Sequence, residues 1–138
     1  MSMLTPVLAL VVWTLIIWIW MYATRLPAMQ KANLDPQDAL HPGSLNTLPQ
    51  NARVIADNYN HLHEQPTIFY ALAIYSYLAG VGDGLNVWLA WGYVAARVVH
   101  SLIQIIVKKV FLRFLTFAFG SVLLMVIAAR NVFALLAA

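Results

Sequence analysis

The chain of 138 residues contains no cysteine, and only five acidic and eight basic side chains. Without cysteine there are no disulfides, no Cys-ligated zinc or iron–sulfur centre and no thiol nucleophile of its own. Charged residues make up 9% of the chain and apolar ones 62%, where a soluble domain carries about 25% and roughly half. With a mean hydropathy of +0.76, such a surface would not keep a monomer dissolved. A soluble enzyme domain, a disordered chain and a nucleic-acid binder are therefore poor readings. Strand-like alternation is absent too, which argues against a membrane β-barrel. No Lys or Arg precedes the first apolar run and no small-residue cleavage site follows it. That counts against a cleaved signal peptide. The same run holds no acidic residue, which disfavours a small multidrug transporter of similar length.

What remains is a series of apolar stretches near the ~20 residues needed to cross a bilayer as helix. Four spans are expected, at about 4–24, 52–81, 85–107 and 112–137, forming one all-α, four-helix integral membrane domain over 1–138. Thr5-Pro6 reads as a helix start. The second span is apolar only from Thr67 to Val81, so its helix must begin upstream in the polar segment 50–65. Pro66 should kink it locally, because proline cannot donate to the carbonyl four residues back. Gly80-Val81-Gly82-Asp83-Gly84 ends it. Residues 25–52 form the one substantial loop, with turn signals at Asp35-Pro36, His41-Pro42-Gly43-Ser44 and Leu48-Pro49.

Six of the eight basic residues fall on two connections: Arg25, Lys31 and Arg53 on one, and Lys108, Lys109 and Arg113 on the other. The positive-inside rule then puts both basic connections in the cytoplasm and both termini outside, with a bacterial inner membrane as the expected location.

Ionisable groups inside a membrane are expensive and read as functional by default. Counted down from the outer turn, Glu64 lies roughly 24 Å deep and Arg97 roughly 20 Å at 1.5 Å per residue. At matching depth on sequential antiparallel spans, the two are expected to pair, since either alone is costly. Arg97, His100 and Gln104 are spaced i, i+3, i+7 and share a helix face. Asn60, His61 and Glu64 cluster on the preceding span. Arg113 opens the fourth span, where a guanidinium and helix amides together favour an anion. His61-Leu62-His63-Glu64 is a weak metal motif, because histidines one residue apart face different sides of a helix. Arg130, near the outer end, is expected to snorkel or to pair with Asp83. The polar cluster is either a pocket open to the cytoplasm beside an apolar partner, or a structural knot that fixes helix packing.

These residues resemble the MAPEG family, the membrane-associated proteins of eicosanoid and glutathione metabolism. The resemblance spans nearly the whole chain. It is sharpest at Arg53 to Phe69, ending His61-Leu62-His63-Glu64-Gln65-Pro66-Thr67-Ile68-Phe69, at Ala96-Arg97-Val98-Val99-His100, and at Arg113. Asp35-Pro36-Gln37-Asp38-Ala39-Leu40 is similar to a stretch of the prostaglandin E synthase member, and the Glu64–Arg97 and Arg97–Arg113 spacings look like that member's. The resemblance implies a homotrimer of four-helix subunits with glutathione, as co-substrate, bound between neighbours near the cytoplasmic face. It places Glu64, Arg97 and His100 against the tripeptide, with Asn60, His61 and Gln104 beside them, and gives Arg113 the thiolate. The family's asparagine three residues before the glutamate is His61 here, and two tyrosines that contact the cofactor in eicosanoid-forming members are Gln104 and Phe117. Their replacement counts against eicosanoid synthesis. The expected function is thus a glutathione-dependent transferase or peroxidase acting on lipophilic electrophiles that arrive from the bilayer. The alternative is a non-catalytic binding or scaffold protein of the same fold.

Overall fold

A computed structural model describes residues 2–35, 37, 45 and 47–137. The turn signals at Pro36 and His41-Pro42-Gly43-Ser44, and the Asp38-Ala39-Leu40 stretch, lie outside the described residues. Among those described, every regular element is helical: α1 (Leu4–Lys31), α2 (Gln50–His61), α3 (Gln65–Leu78), α4 (Gly84–Leu102) running on into a π-helical turn (Ile103–Val107), and α5 (Val110–Ala137). Three of these are long and apolar enough to cross a membrane: α1, α4 with its π turn, and α5. The chain is a membrane protein, folded as an all-α four-helix bundle whose second member is the broken pair α2–α3.

Helix α1 starts as read, with the Ser2 hydroxyl accepting from the Leu4 amide at 3.1 Å and Pro6 in the first turns. It ends later than expected. Pro27 removes one backbone donor, yet the helix formers Ala28, Met29, Gln30 and Lys31 carry it on, and Asn33 at φ 56° closes it in the left-handed region. Arg25 and Lys31 therefore sit on helix, not loop.

The expected kink at Pro66 is a full break. Proline has no N–H for the Leu62 carbonyl, so α2 stops at His61 and α3 restarts at Gln65, with Glu64 as its N-cap residue at φ −95°, ψ −93°. The Glu64 carbonyl accepts from both the hydroxyl of Thr67, at 2.6 Å, and its amide, at 3.3 Å, as α3 begins.

Helix α4 is the central member. Half of its apolar window is buried, against 28% for α1 and 17% for α5. Its Ala90, Tyr93 and Ala96 face Phe69 of α3 and Gly120 of α5, with the Phe69 and Tyr93 rings stacked at 4.8 Å. A Cβ on Gly120 would lie 3.3 Å from the Tyr93 ring, so the missing side chain sets the α4–α5 separation. Gly120→Leu should push these helices apart at a cost of about 1–3 kcal/mol, read as a lowered thermal unfolding midpoint in detergent. Outward-facing α5 side chains such as Phe111, Phe119, Met125 and Phe133 are exposed, the arrangement expected of a face against lipid or another subunit.

At the outer end, Gly80 takes a left-handed φ of 73° that closes the turn after α3. Asp83 caps α4 by accepting from the Asn86 amide at 2.9 Å. Arg130 reaches across from α5 to Asp83, as read from the sequence, and its Nε donates to Asn86 Oδ1 at 2.8 Å. The Asn86 amide, followed by the Arg130 guanidinium, holds the Asp83 carboxyl below the usual carboxylate range. A depressed native pKa means that this stabilisation is complete above the unfolded value and disappears as pH falls through the folded one. Asp83→Asn keeps the cap but not the charge, so it should flatten the acid side of the stability–pH curve while leaving neutral stability little changed. Thermal melts across the acid range check this.

Candidate functional site

At the opposite end of the bundle from Asp83, the break after α2, the π turn after α4 and the start of α5 converge. The π turn is marked by an i→i−5 bond in which the Lys108 amide donates to the Ile103 carbonyl, and Lys108 then reverses the chain at φ 62°. This short reversal places Arg113 in the first turn of α5, its amide donating to the Lys109 carbonyl at 3.1 Å. The Lys108 ammonium is fixed by Asn51 Oδ1 at 2.7 Å.

Three cavities meet at Arg113. One, of about 370 Å³, is lined by Asp57, Asn60, His61, Glu64, Gln104 and Arg113. A second, of about 210 Å³, is lined by His61, His100, Val110, Arg113, Phe114 and Phe117. The third and smallest runs from Gln50 and Val54 to Gln104, Lys108, Lys109 and Arg113. The first is polar and carries two carboxylates. The second has three apolar walls and a pair of imidazoles. His61 and Arg113 are the two residues that line both.

The expected Glu64–Arg97 pair is not formed. Glu64 is 69% exposed, and its Oε2 accepts from His61 Nδ1 at 3.2 Å. Arg97 is 1% exposed, and none of its three guanidinium nitrogens has a hydrogen-bond partner among the described residues. The matching depths hold only for one continuous helix, and the chain breaks at Leu62–Glu64, where Glu64 takes the non-helical N-cap position of α3. Histidine in place of the family's asparagine then captures the Glu64 carboxylate.

The remaining predicted residues divide clearly. His100 is buried against His61, with ring centroids 4.9 Å apart, and its Nδ1 has no described partner. Phe117 stacks on His61 at 5.6 Å. Gln104 is buried, but its Oε1 is taken by Asn58 Nδ2 at 2.9 Å, so only the rest of its amide is available to a ligand. Asn60 is exposed at the polar cavity. His63 turns away, donating to the Tyr59 carbonyl at 2.9 Å, so the two histidines of the His-Leu-His motif do face apart. The sequence reading missed Asn58, which is fully buried with an Oδ1 that has no partner among the described residues, and it gave Asp57 no place in the site. Both lie on the same α2 turns as His61, and the i, i+3, i+4 spacing could have found them. It also missed Gln65, which donates to Ser121 at 2.7 Å and accepts from the Tyr93 hydroxyl at 3.1 Å, tying the start of α3 to α5 and α4.

With this geometry in hand, comparison with known proteins is decisive at one level. The profile of the MAPEG family matches residues 3–133, nearly the full chain. The protein belongs to the MAPEG family. No curated protein and no solved structure gave a match. Membership puts this MAPEG protein among the membrane proteins of glutathione or eicosanoid metabolism. Glutathione is a tripeptide with two carboxylates, one ammonium and one thiol, and the residues around Arg113 suit it. Guanidinium and lysine groups face one cavity, Asp57 and Glu64 another, and the Arg97 nitrogens have no hydrogen-bond partner among the described residues.

Proposed function

We propose that this MAPEG protein is a glutathione-dependent transferase or peroxidase acting on lipophilic electrophiles. The observation that carries the reading is that one cation, Arg113, borders both a polar cavity and an apolar one. A thiol of pKa near 8.5 is mostly protonated at neutral pH, and the thiolate is the nucleophile. A guanidinium in the first turn of a helix favours the ionised form. In this account Arg113 stabilises the thiolate, and Asn60, His61, Glu64, Arg97, His100 and Gln104 hold the tripeptide. The Phe114–Phe117 side admits an electrophile from the lipid. Arg97 supports the reading because an isolated buried guanidinium costs several kcal/mol, and a carboxylate brought by the tripeptide or by a neighbouring subunit would offset that cost. A homotrimer, with the basic connections cytoplasmic and both termini outside, completes the proposal.

A second reading is a non-catalytic member of the fold, favoured by the buried Asn58–Gln104 hydrogen bond that ties α2 to the π turn. Adding glutathione to the purified protein in detergent separates the two. The transferase reading expects a rise in the ultraviolet thiolate band and a higher unfolding temperature. Absence of both contradicts it.

A further inference from the structure

The family's thiol chemistry needs somewhere for the thiol proton to go, and this chain carries a group at that place. His61 and Arg113 line both the polar and the apolar cavity, so a sulfur held by Arg113 at that junction lies beside the His61 ring. The ring is not free to turn. Its Nδ1 is 3.2 Å from Glu64 Oε2, Phe117 stacks on it at 5.6 Å, and His100 packs tilted against it at 4.9 Å. An ionised carboxylate can only accept, so Nδ1 carries the hydrogen and Nε2 keeps its lone pair. That is the arrangement of an oriented imidazole base.

We infer that His61, oriented by Glu64, is the general base of this enzyme, taking the proton from a thiol bound against Arg113. The inference rests on the transferase reading and deepens it. In the conjugation step the sulfur–hydrogen bond breaks and its proton passes to His61 Nε2, while the electron pair stays on sulfur opposite Arg113. The sulfur then forms a bond to the electrophilic carbon, and the leaving group departs with its bonding pair. The imidazolium, stabilised by Glu64, returns the proton to the leaving group or to solvent. His61 touches the reacting atoms; Glu64 acts through it and is a positioning residue. The charges that reach His61 are Glu64 from its own turn, Arg97 on α4 and Arg113 on α5, with His100 in ring contact and Asp57 across the polar cavity.

The test is the pH–rate profile of conjugation to a chloronitroarene, measured as kcat/KM in the full-length protein. His61→Ala should lose roughly 10²-fold at neutral pH, and the deficit should shrink as pH rises toward the thiol's own pKa, where no base is needed. Imidazole added to the medium should restore part of the lost rate. Glu64→Gln should lower kcat with the same pH signature and a smaller loss. A deficit that is constant with pH and unaffected by imidazole assigns His61 a packing role and overturns the inference, as does a His61→Ala rate equal to wild type. If His61→Ala fails to fold, His61→Asn, the residue type the family carries there, takes its place in the pH comparison. Failure of the parent reading looks different: wild-type protein itself then shows no glutathione-induced thiolate band, which overturns both.

Discussion

Arg113→Ala should abolish the thiolate band that glutathione induces and cut conjugation by about 10² to 10³-fold, the loss typical of removing one charge-stabilising donor. The side chain borders three cavities and makes no hydrogen bond or ion pair among the described residues. Truncation therefore leaves no buried partner unsatisfied, and folding should survive. At high pH the variant should recover part of its rate, because the thiol then ionises unaided. Arg113→Lys should fall between, since it keeps charge but loses the planar fork. Stopped-flow absorbance and steady-state rates measured on the same preparation check both. A variant that keeps its thiolate band places the stabilising charge elsewhere, with Lys108 and Lys109 the nearest alternatives.

Arg97→Met should have the opposite balance of effects. Arg97 is the largest fully buried side chain of the described residues, and its guanidinium has no partner there. Replacing an uncompensated buried charge by an apolar group of similar volume is often neutral or stabilising. The unliganded variant is therefore expected to melt no lower than wild type. Its response to glutathione is expected to vanish. At a concentration 100 times the dissociation constant, wild type gains about 2.7 kcal/mol from a ligand that binds only the folded state, and Arg97→Met should gain close to none. A structural polar knot predicts the reverse: a large drop in the melting temperature without ligand and an unchanged ligand response. Differential scanning fluorimetry with and without glutathione distinguishes them.

The fold was legible because its signals are long. Four apolar stretches, a Gly-rich outer turn, a Lys108-Lys109 reversal and an Arg130–Asp83 clasp all follow from local composition, and each has its counterpart in the structure. The length of α1 was not legible, since the apolar run ends near residue 24 and the helix continues through Pro27 to Lys31 on good helix formers. Of the site, the spacing shows which polar residues come near one another but not how they pair. His61, Glu64, Gln104 and Arg113 do line one cavity. Which group Glu64 binds depended on whether Pro66 bends the helix or breaks it, and a turn of three residues decides that. Nothing in the spacing of Glu64 and Arg97 carries that information. The π turn is likewise invisible in sequence, although it sets where Gln104 meets Asn58.

The claim on which the rest depends is that a thiol is held at the junction of two cavities, between Arg113 and His61. An experimental structure of the protein with glutathione tests it most directly. The account predicts density for the tripeptide with its sulfur beside the Arg113 guanidinium, its polar ends toward Asp57, Glu64 and Arg97, and His61 within hydrogen-bond reach of the sulfur. Density elsewhere, or a fully occupied tripeptide whose sulfur points away from both residues, would contradict it.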